Sequence, residues 1–339
     1  MKLSIFDYPL PRNLIAHSPS QKRDHSRLMV VGEEIEHKTF SDIIDYLEKD
    51  DVLVVNEARV MSARIDGKKS TGGPIQVILL PDATEKTSEG WDCWCKIKGR
   101  NPRVGTHLIF NKELSGYVIE QTEDSFLVTF RKDPFVAARK IGKLPIPWYI
   151  KKQLESEERY QTVYSHEKKA KSLAAPTAGL HFTSGLLKRL EKKGVRIAKI
   201  CLHISFDTFL PIKTENIFDH KMHSEEFEID SKSAKLINSC KGRLFCVGTT
   251  SLRALESSCG KDCKVVAGKT STRIYIHPQY RFRSKVYGLI TNFHLPKSSL
   301  FVLVCGFAGT KKIHAAYKTA IDMKYRFYSF GDAMLLFRS

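Results

Sequence analysis

Between residues 63 and 149 the chain changes texture, and that change limits the possible folds more than any other feature. Short apolar runs follow one another at 75–80, 91–97, 107–110, 116–119 and 126–130, separated by turn residues such as Gly72-Gly73-Pro74 and Asn101-Pro102-Arg103-Val104-Gly105. Strands at this spacing, with little helix between them, form a small antiparallel barrel or sandwich. On either side the pattern is different. Val52-Leu53-Val54-Val55-Asn56 is apolar throughout and ends in a polar residue, as expected of a strand buried on both faces. The expectation is therefore a discontinuous α/β domain, residues 1–62 and 150–339, with an all-β antiparallel barrel inserted at 63–149. Leu144-Pro145-Ile146-Pro147-Trp148-Tyr149-Ile150 reads as a rigid extended link back to the first domain.

Around the insertion the periodicities predict strands at 28–31, 196–203, 243–247 and 273–276. They predict helices at 40–47, capped by Ser41, and at 183–193, 231–239, 251–258 and 311–323. At 339 residues there is ample chain for about two domains. The balance of 55 basic against 37 acidic residues, +18 overall, favours a polyanionic partner through steering and counterion release. Lys96, Lys98, Arg100 and Arg103 make one edge of the insertion basic. The first nine residues lack the apolar core of a signal peptide, and the longest apolar run, 300–308, is too short to span a bilayer. A cytoplasmic protein with no membrane contact is expected. The close cysteine pairs, Cys93/Cys95 and Cys259/Cys263, lack the spacing of a zinc knuckle, so neither a metal nor a structural disulfide is expected.

Polar residues gather where apolar strands end. Ala174-Ala175-Pro176-Thr177-Ala178-Gly179-Leu180-His181-Phe182 is a turn of small residues before a helix, with Thr177 and His181 giving it polar reach. His203, Asp207 and Thr208 follow a strand, at the carboxyl edge where open sheets present side chains to ligands. His220 and His223 stand close together but lack the frame of a metal site, which leaves proton transfer or hydrogen bonding. Val247-Gly248-Thr249-Thr250-Ser251-Leu252-Arg253-Ala254-Leu255-Glu256 runs from strand through a Gly turn into a helix start. Its free N–H groups and hydroxyls suit a carboxylate or phosphate, with Arg253 and Glu256 on one helical face. It is neither a Walker loop nor a dinucleotide fingerprint. Asn292 and His294 end another strand, and Arg326 and Asp332 lie among aromatics near the C-terminus.

These segments, in this order, resemble the S-adenosylmethionine:tRNA ribosyltransferase-isomerase family of queuosine biosynthesis. The resemblance rests on Arg59-Val60, Arg159-Tyr160-Gln161-Thr162-Val163-Tyr164, the 174–182 turn, Lys221-Met222-His223-Ser224-Glu225, and the stretches 247–256, 291–297 and 325–334. It implies an α/β domain carrying an inserted barrel. It also implies transfer of the ribosyl unit of S-adenosylmethionine to 7-aminomethyl-7-deazaguanine in a GUN anticodon of tRNA, giving epoxyqueuosine and releasing adenine and methionine. S-adenosylmethionine is then a co-substrate, and no cofactor is implied. The residues that would handle protons or position the reactants are His181, His203, His223 and His294. Thr249, Thr250 and Arg253 would hold the methionine carboxylate, with Thr177, Thr208, Glu256, Asn292, Tyr160, Arg326 and Asp332 as further substrate contacts. A monomer is expected. The chain departs from the family at Ser205-Phe206-Asp207-Thr208-Phe209, where Gly-x-Gly-Thr-Phe is usual. The alternative that this raises is a tRNA-binding homologue impaired in catalysis. A methyltransferase is disfavoured, because no Gly-rich loop follows an early strand.

Overall fold

The computed structural model describes residues 1–99, 102–147, 150, 156–206 and 211–339. They form two compact units, Met1–Arg59 with Trp148–Ser339, and Val60–Pro147. In chain order the strands before and within the second unit are β1 (Arg27–Val31), β2 (Ile35–Thr39), β3 (Val52–Asn56), β4 (Arg59–Val60), β5 (Arg64–Lys69), β6 (Pro74–Lys86), β7 (Trp91–Gly99), β8 (His107–Ile109), β9 (Ser115–Gln121) and β10 (Phe126–Phe130), followed by helix α1 (Pro134–Ile141). Then come β11 (Ala170–Ser172), α2 (Ser184–Lys193), β12 (Arg196–Leu202), β13 (Glu225–Ile229), α3 (Ser231–Asn238), β14 (Leu244–Val247), α4 (Thr249–Ser258) and β15 (Gly268–Thr272). The chain ends with β16 (Val286–Asn292), α5 (Ser299–Ala308), α6 (Thr310–Asp322) and β17 (Ala333–Phe337).

The larger unit is built on a mixed sheet of order β15-β13-β12-β3-β14-β16-β17-β1-β2. Its centre is parallel: β12 pairs with β3, β3 with β14, and β14 with β16. Strand alternation splits the buried residues into two cores. Val52, Val54, Ala198, Ile200, Cys246, Leu289 and Met334 pack on one face with residues of α3, α4, α5 and α6. Leu53, Val55, Phe245, Val247 and Ile290 pack on the other with Phe40, Phe182, Leu186 and Leu190. A central strand covered on both sides has no solvent-facing positions, which is why Val52–Asn56 is apolar at every step before its last residue.

The smaller unit contains a closed six-stranded antiparallel barrel, order β10-β7-β6-β5-β8-β9. Closure removes the sheet edges that a free hairpin stack would expose. Cys93 and Cys95 point into this core beside Val77, Leu79, Val118 and Phe130, acting as small apolar side chains. Arg103 and Lys98 are exposed, while Arg100 lies outside the described residues.

Three local expectations are corrected. Residues 40–46 form a 3-10 helix rather than an α-helix, and its capping box is made by Thr39 and Asp42, not by Ser41. The strand expected at 273–276 lies earlier, at β15, because Gly268–Thr272 is the segment in register with β13. Ile276 is buried at 1 % exposure as a core anchor from coil, which explains its misleading apolar signal. Helix α4 begins at Thr249, two residues before the periodicity suggested. Among the described residues no helix is long and apolar enough to cross a membrane.

Candidate active site

Parallel strands leave their carboxyl ends on one edge of the sheet, and in open α/β sheets that edge is where ligands bind. Asn56 closes the centre of this edge. Its Nδ2 donates to the Leu202 carbonyl at 3.0 Å and to Thr250 Oγ1 at 3.3 Å, while its Oδ1 accepts from the N–H groups of Leu202 at 3.0 Å and Ala58 at 3.1 Å. One fully buried carboxamide thus ties β3, β12 and the start of α4 together.

A cleft opens beside it, lined by the Ala175–Ala178 turn, Ile204, Gly248 to Thr250, Thr291, Asn292, His294 and Leu300. Gly248 has φ 87°, a region that a side chain disfavours, and this lets the chain leave β14 and turn at once into α4. No side chain caps the first turn of α4. Its unpaired N–H groups and the positive end of the helix dipole therefore favour an anion there. Thr249 and Thr250 are buried at this turn, and Thr177 is half-buried across the cleft.

Two neutral histidines serve the cleft, His294 in its lining and His181 behind Asn292. His294 lines it and shares a hydrogen bond of 2.9 Å between Nε2 and Thr291 Oγ1. Its backbone is held by aromatic hydroxyls: its N–H donates to Tyr317 Oη at 2.9 Å, and its carbonyl accepts from Tyr8. His181 bonds through Nδ1 to Ser26 Oγ at 2.6 Å and through Nε2 to Asn292 Nδ2 at 3.0 Å. Burial pushes the pKa of each ring down to about 3, and at His181 the charges of Arg326 and Arg23 add to the effect. Between the usual histidine value of 6.5 and about 3, the unfolded chain binds protons that the folded one excludes. Stability is then fully present above about pH 6.5 and is lost as pH falls toward 3. The melting temperature is expected to drop from pH 7 to pH 5, and to drop less steeply in His294→Gln. Equal slopes in the two proteins would remove this histidine as a cause.

Arg253 lies behind the α4 turn, 2 % exposed, and its Nη1 is ion-paired with the Glu225 carboxylate, itself 1 % exposed. Glu225 also accepts from the Ser205 N–H at 3.0 Å. Arg253 Nε and Nη2 are buried without a hydrogen-bond partner. Buried guanidinium N–H groups are rarely left unpaired. Ser205 itself is not among the non-glycine residues with positive φ, so the serine that stands where the family has glycine sits in ordinary backbone.

The remaining expected site residues are placed elsewhere. His203 follows β12 and is half-buried near Cys201 Sγ, while His223 is exposed just before β13. Tyr160 is fully buried below the 174–182 turn, its ring 5.8 Å edge-on from Phe330. Glu256 accepts four hydrogen bonds from the 280–284 loop: from Tyr280 Oη at 3.1 Å, the Arg283 N–H at 2.9 Å, the Ser284 N–H at 3.0 Å, and the Ser284 hydroxyl. That pattern is a structural clamp away from the cleft. Asp332 accepts from the N–H groups of Arg27 at 3.0 Å and Arg326 at 2.8 Å, bracing β17 against β1. Arg326 reaches the Ser18 carbonyl at 3.4 Å. Asp207 and Thr208 lie outside the described residues. Sequence reasoning did not assign Ser26, Asn56 or Glu225 to the site. Asn56 had a signal, a polar residue closing an apolar strand, whereas Ser26 and Glu225 are brought in only by long-range packing.

Fold and site define an α/β protein with a ligand cleft at the carboxyl edge of its sheet, equipped for an anionic group at one helix start and for a neutral polar group beside it. The sequence profile of the queuosine biosynthesis proteins matches residues 3–336, and the chain belongs to that family. It is 44 % identical over 347 residues to the S-adenosylmethionine:tRNA ribosyltransferase-isomerase of Desulforamulus reducens, covering 99 % of this chain and all of that one. The protein of the same name from Syntrophus aciditrophicus is 43 % identical over 365 residues, with 99 % of each chain covered. Among solved structures it is similar to the S-adenosylmethionine tRNA ribosyltransferase of Thermotoga maritima, with a TM-score of 0.54 and 32 % identity over 98 % of this chain and 99 % of that one.

Proposed function

We propose that this protein transfers and isomerises the ribosyl moiety of S-adenosylmethionine onto 7-aminomethyl-7-deazaguanine at the wobble position of tRNAs with a GUN anticodon. The product is epoxyqueuosine-tRNA, with adenine and methionine released. The observation that carries this reading is full-length likeness to several proteins bearing that enzyme's name. The cleft supplies matching chemistry. The uncapped start of α4, with Thr249 and Thr250, suits the methionine carboxylate, and the Arg253 guanidinium behind that turn, with Nε and Nη2 unpaired, adds positive charge. A proton beside the sulfonium must be removed, and adenine must leave with a proton. His181 and His294, held near pKa 3, are weak bases at neutral pH and serve as neutral hydrogen-bonding groups. His203, next to the cleft-lining Ile204, and His223, exposed just before β13, are the remaining candidates for proton transfer. The excess of 18 positive charges serves the tRNA backbone. The enzyme acts as a cytoplasmic monomer without a cofactor.

The test is incubation of the purified protein with S-adenosylmethionine and tRNA carrying 7-aminomethyl-7-deazaguanine. Adenine and epoxyqueuosine are expected to appear together. Binding of tRNA without adenine release would select the impaired homologue instead, and an intact adenosyl product would mean methyl transfer.

A further inference from the structure

We infer that Asn292 reads the exocyclic amino group of the co-substrate's adenine with its side-chain oxygen, and that His181 and Ser26 are positioning residues that hold this oxygen toward the ligand. The inference rests on the cleft being the S-adenosylmethionine site. It begins from a hydrogen-bond chain that runs in one direction. Asn292 Nδ2 lies 3.0 Å from His181 Nε2, and because an amide nitrogen only donates, Nε2 is the acceptor and the neutral ring carries its proton on Nδ1. The Ser26 oxygen is then the acceptor at 2.6 Å for His181 Nδ1–H. The Phe40 ring, stacked at 4.9 Å and 27°, fixes the imidazole plane. The chain therefore decides which edge of the carboxamide faces which way.

The edge that remains is Oδ1. Asn292 lines the cleft, is 3 % exposed, and its Oδ1 is buried without a hydrogen-bond partner. A buried acceptor left open in this way points to a donor supplied by a ligand. The flanking surface is apolar, made by Ala175, Pro176, Ala178, Ile204 and Leu300, which suits a flat base. No lining residue among those described is acidic, so a cationic ammonium finds no counter-charge there. Asparagine pairs with adenine by accepting from N6–H, and with Nδ2 already committed this single contact is the one available. A base carrying an oxygen at the same position would set acceptor against acceptor.

The experiment compares S-adenosylmethionine with S-inosyl-L-methionine, in which that amino group is a carbonyl oxygen. It follows binding by calorimetry and base release by kcat and KM. Wild type is expected to bind the inosyl compound about 10- to 100-fold more weakly, with kcat changed less than KM. In His181→Ala the carboxamide is free to rotate, and the preference should shrink to within about 3-fold, mainly by weaker binding of S-adenosylmethionine. Ser26→Ala, which keeps the imidazole, should lie between the two and reports even if His181→Ala does not fold. Equal binding of both compounds by wild type, or an undiminished preference in Ser26→Ala and His181→Ala, overturns the proposal. Failure of wild type to bind S-adenosylmethionine at all overturns the reading of the cleft, and this inference with it.

Discussion

Replacing Arg253 by methionine is expected to cost about 3–5 kcal/mol of stability and to abolish measurable S-adenosylmethionine binding. The two effects have different origins. Stability is lost because the Glu225 carboxylate, 1 % exposed, is left in the interior without its guanidinium. Binding is lost because Nε and Nη2, the donors that no protein group uses, go with the side chain. A double variant separates them. In Arg253→Met/Glu225→Gln no charge is stranded, and the glutamine still accepts from the Ser205 N–H, so much of the stability should return. Binding should not. Denaturant melts and calorimetry read the two quantities independently. If the double variant binds S-adenosylmethionine as wild type does, Arg253 is a structural residue only.

The second large effect is expected at Gly179, inside the turn that roofs the cleft. A Cβ there would lie 2.0 Å from Tyr164 Oη and 2.8 Å from Thr162 Cγ2, so Gly179→Ala forces the turn or the tyrosine to move. Overpacking a filled core typically costs about 1–3 kcal/mol. Here the displaced segment carries Thr177 and His181, and activity should fall on the order of 100-fold, a displacement of about an ångström being enough. The tyrosine offers an internal control. Its hydroxyl is buried and unpaired, so Tyr164→Phe alone should be neutral or slightly stabilising. Combined with Gly179→Ala it should restore part of the stability, because the nearest atom is gone while Cζ still sits at 2.9 Å. A single Gly179→Ala variant with wild-type stability and turnover would contradict this account.

Much of the architecture was legible because it depends on local signals. The barrel strands announce themselves by short apolar runs between turn residues, and the central strands of the sheet by uninterrupted apolar stretches. The sheet's outer members were not legible. Glu225–Ile229 and Gly268–Thr272 carry charged and hydroxyl side chains, and only their register with each other and with β12 makes them strands. The same division runs through the site. Thr249 and Thr250 could be placed from a glycine turn before a helix, and Asn292 and His294 from the end of an apolar run. Glu256 looked like a ligand on the face of Arg253, yet a loop 24–28 residues further on had claimed its carboxylate.

What the sequence determined by itself is therefore the type and order of elements, the insertion of a barrel into an α/β domain, and the turns at which polar groups collect, because periodicity, turn chemistry and caps act over a few residues. The tertiary structure decided the roles. His181 meets Ser26 across 155 residues and Asn292 across 111, and only folding buries the imidazole, which keeps it neutral, and lets it orient the carboxamide. Arg253 finds Glu225 from 28 residues away, and only that pairing shows which of its donors remain for a ligand. A proton's affinity and a hydrogen bond's direction are set by what surrounds a group in space, and the chain brings those surroundings together only on folding.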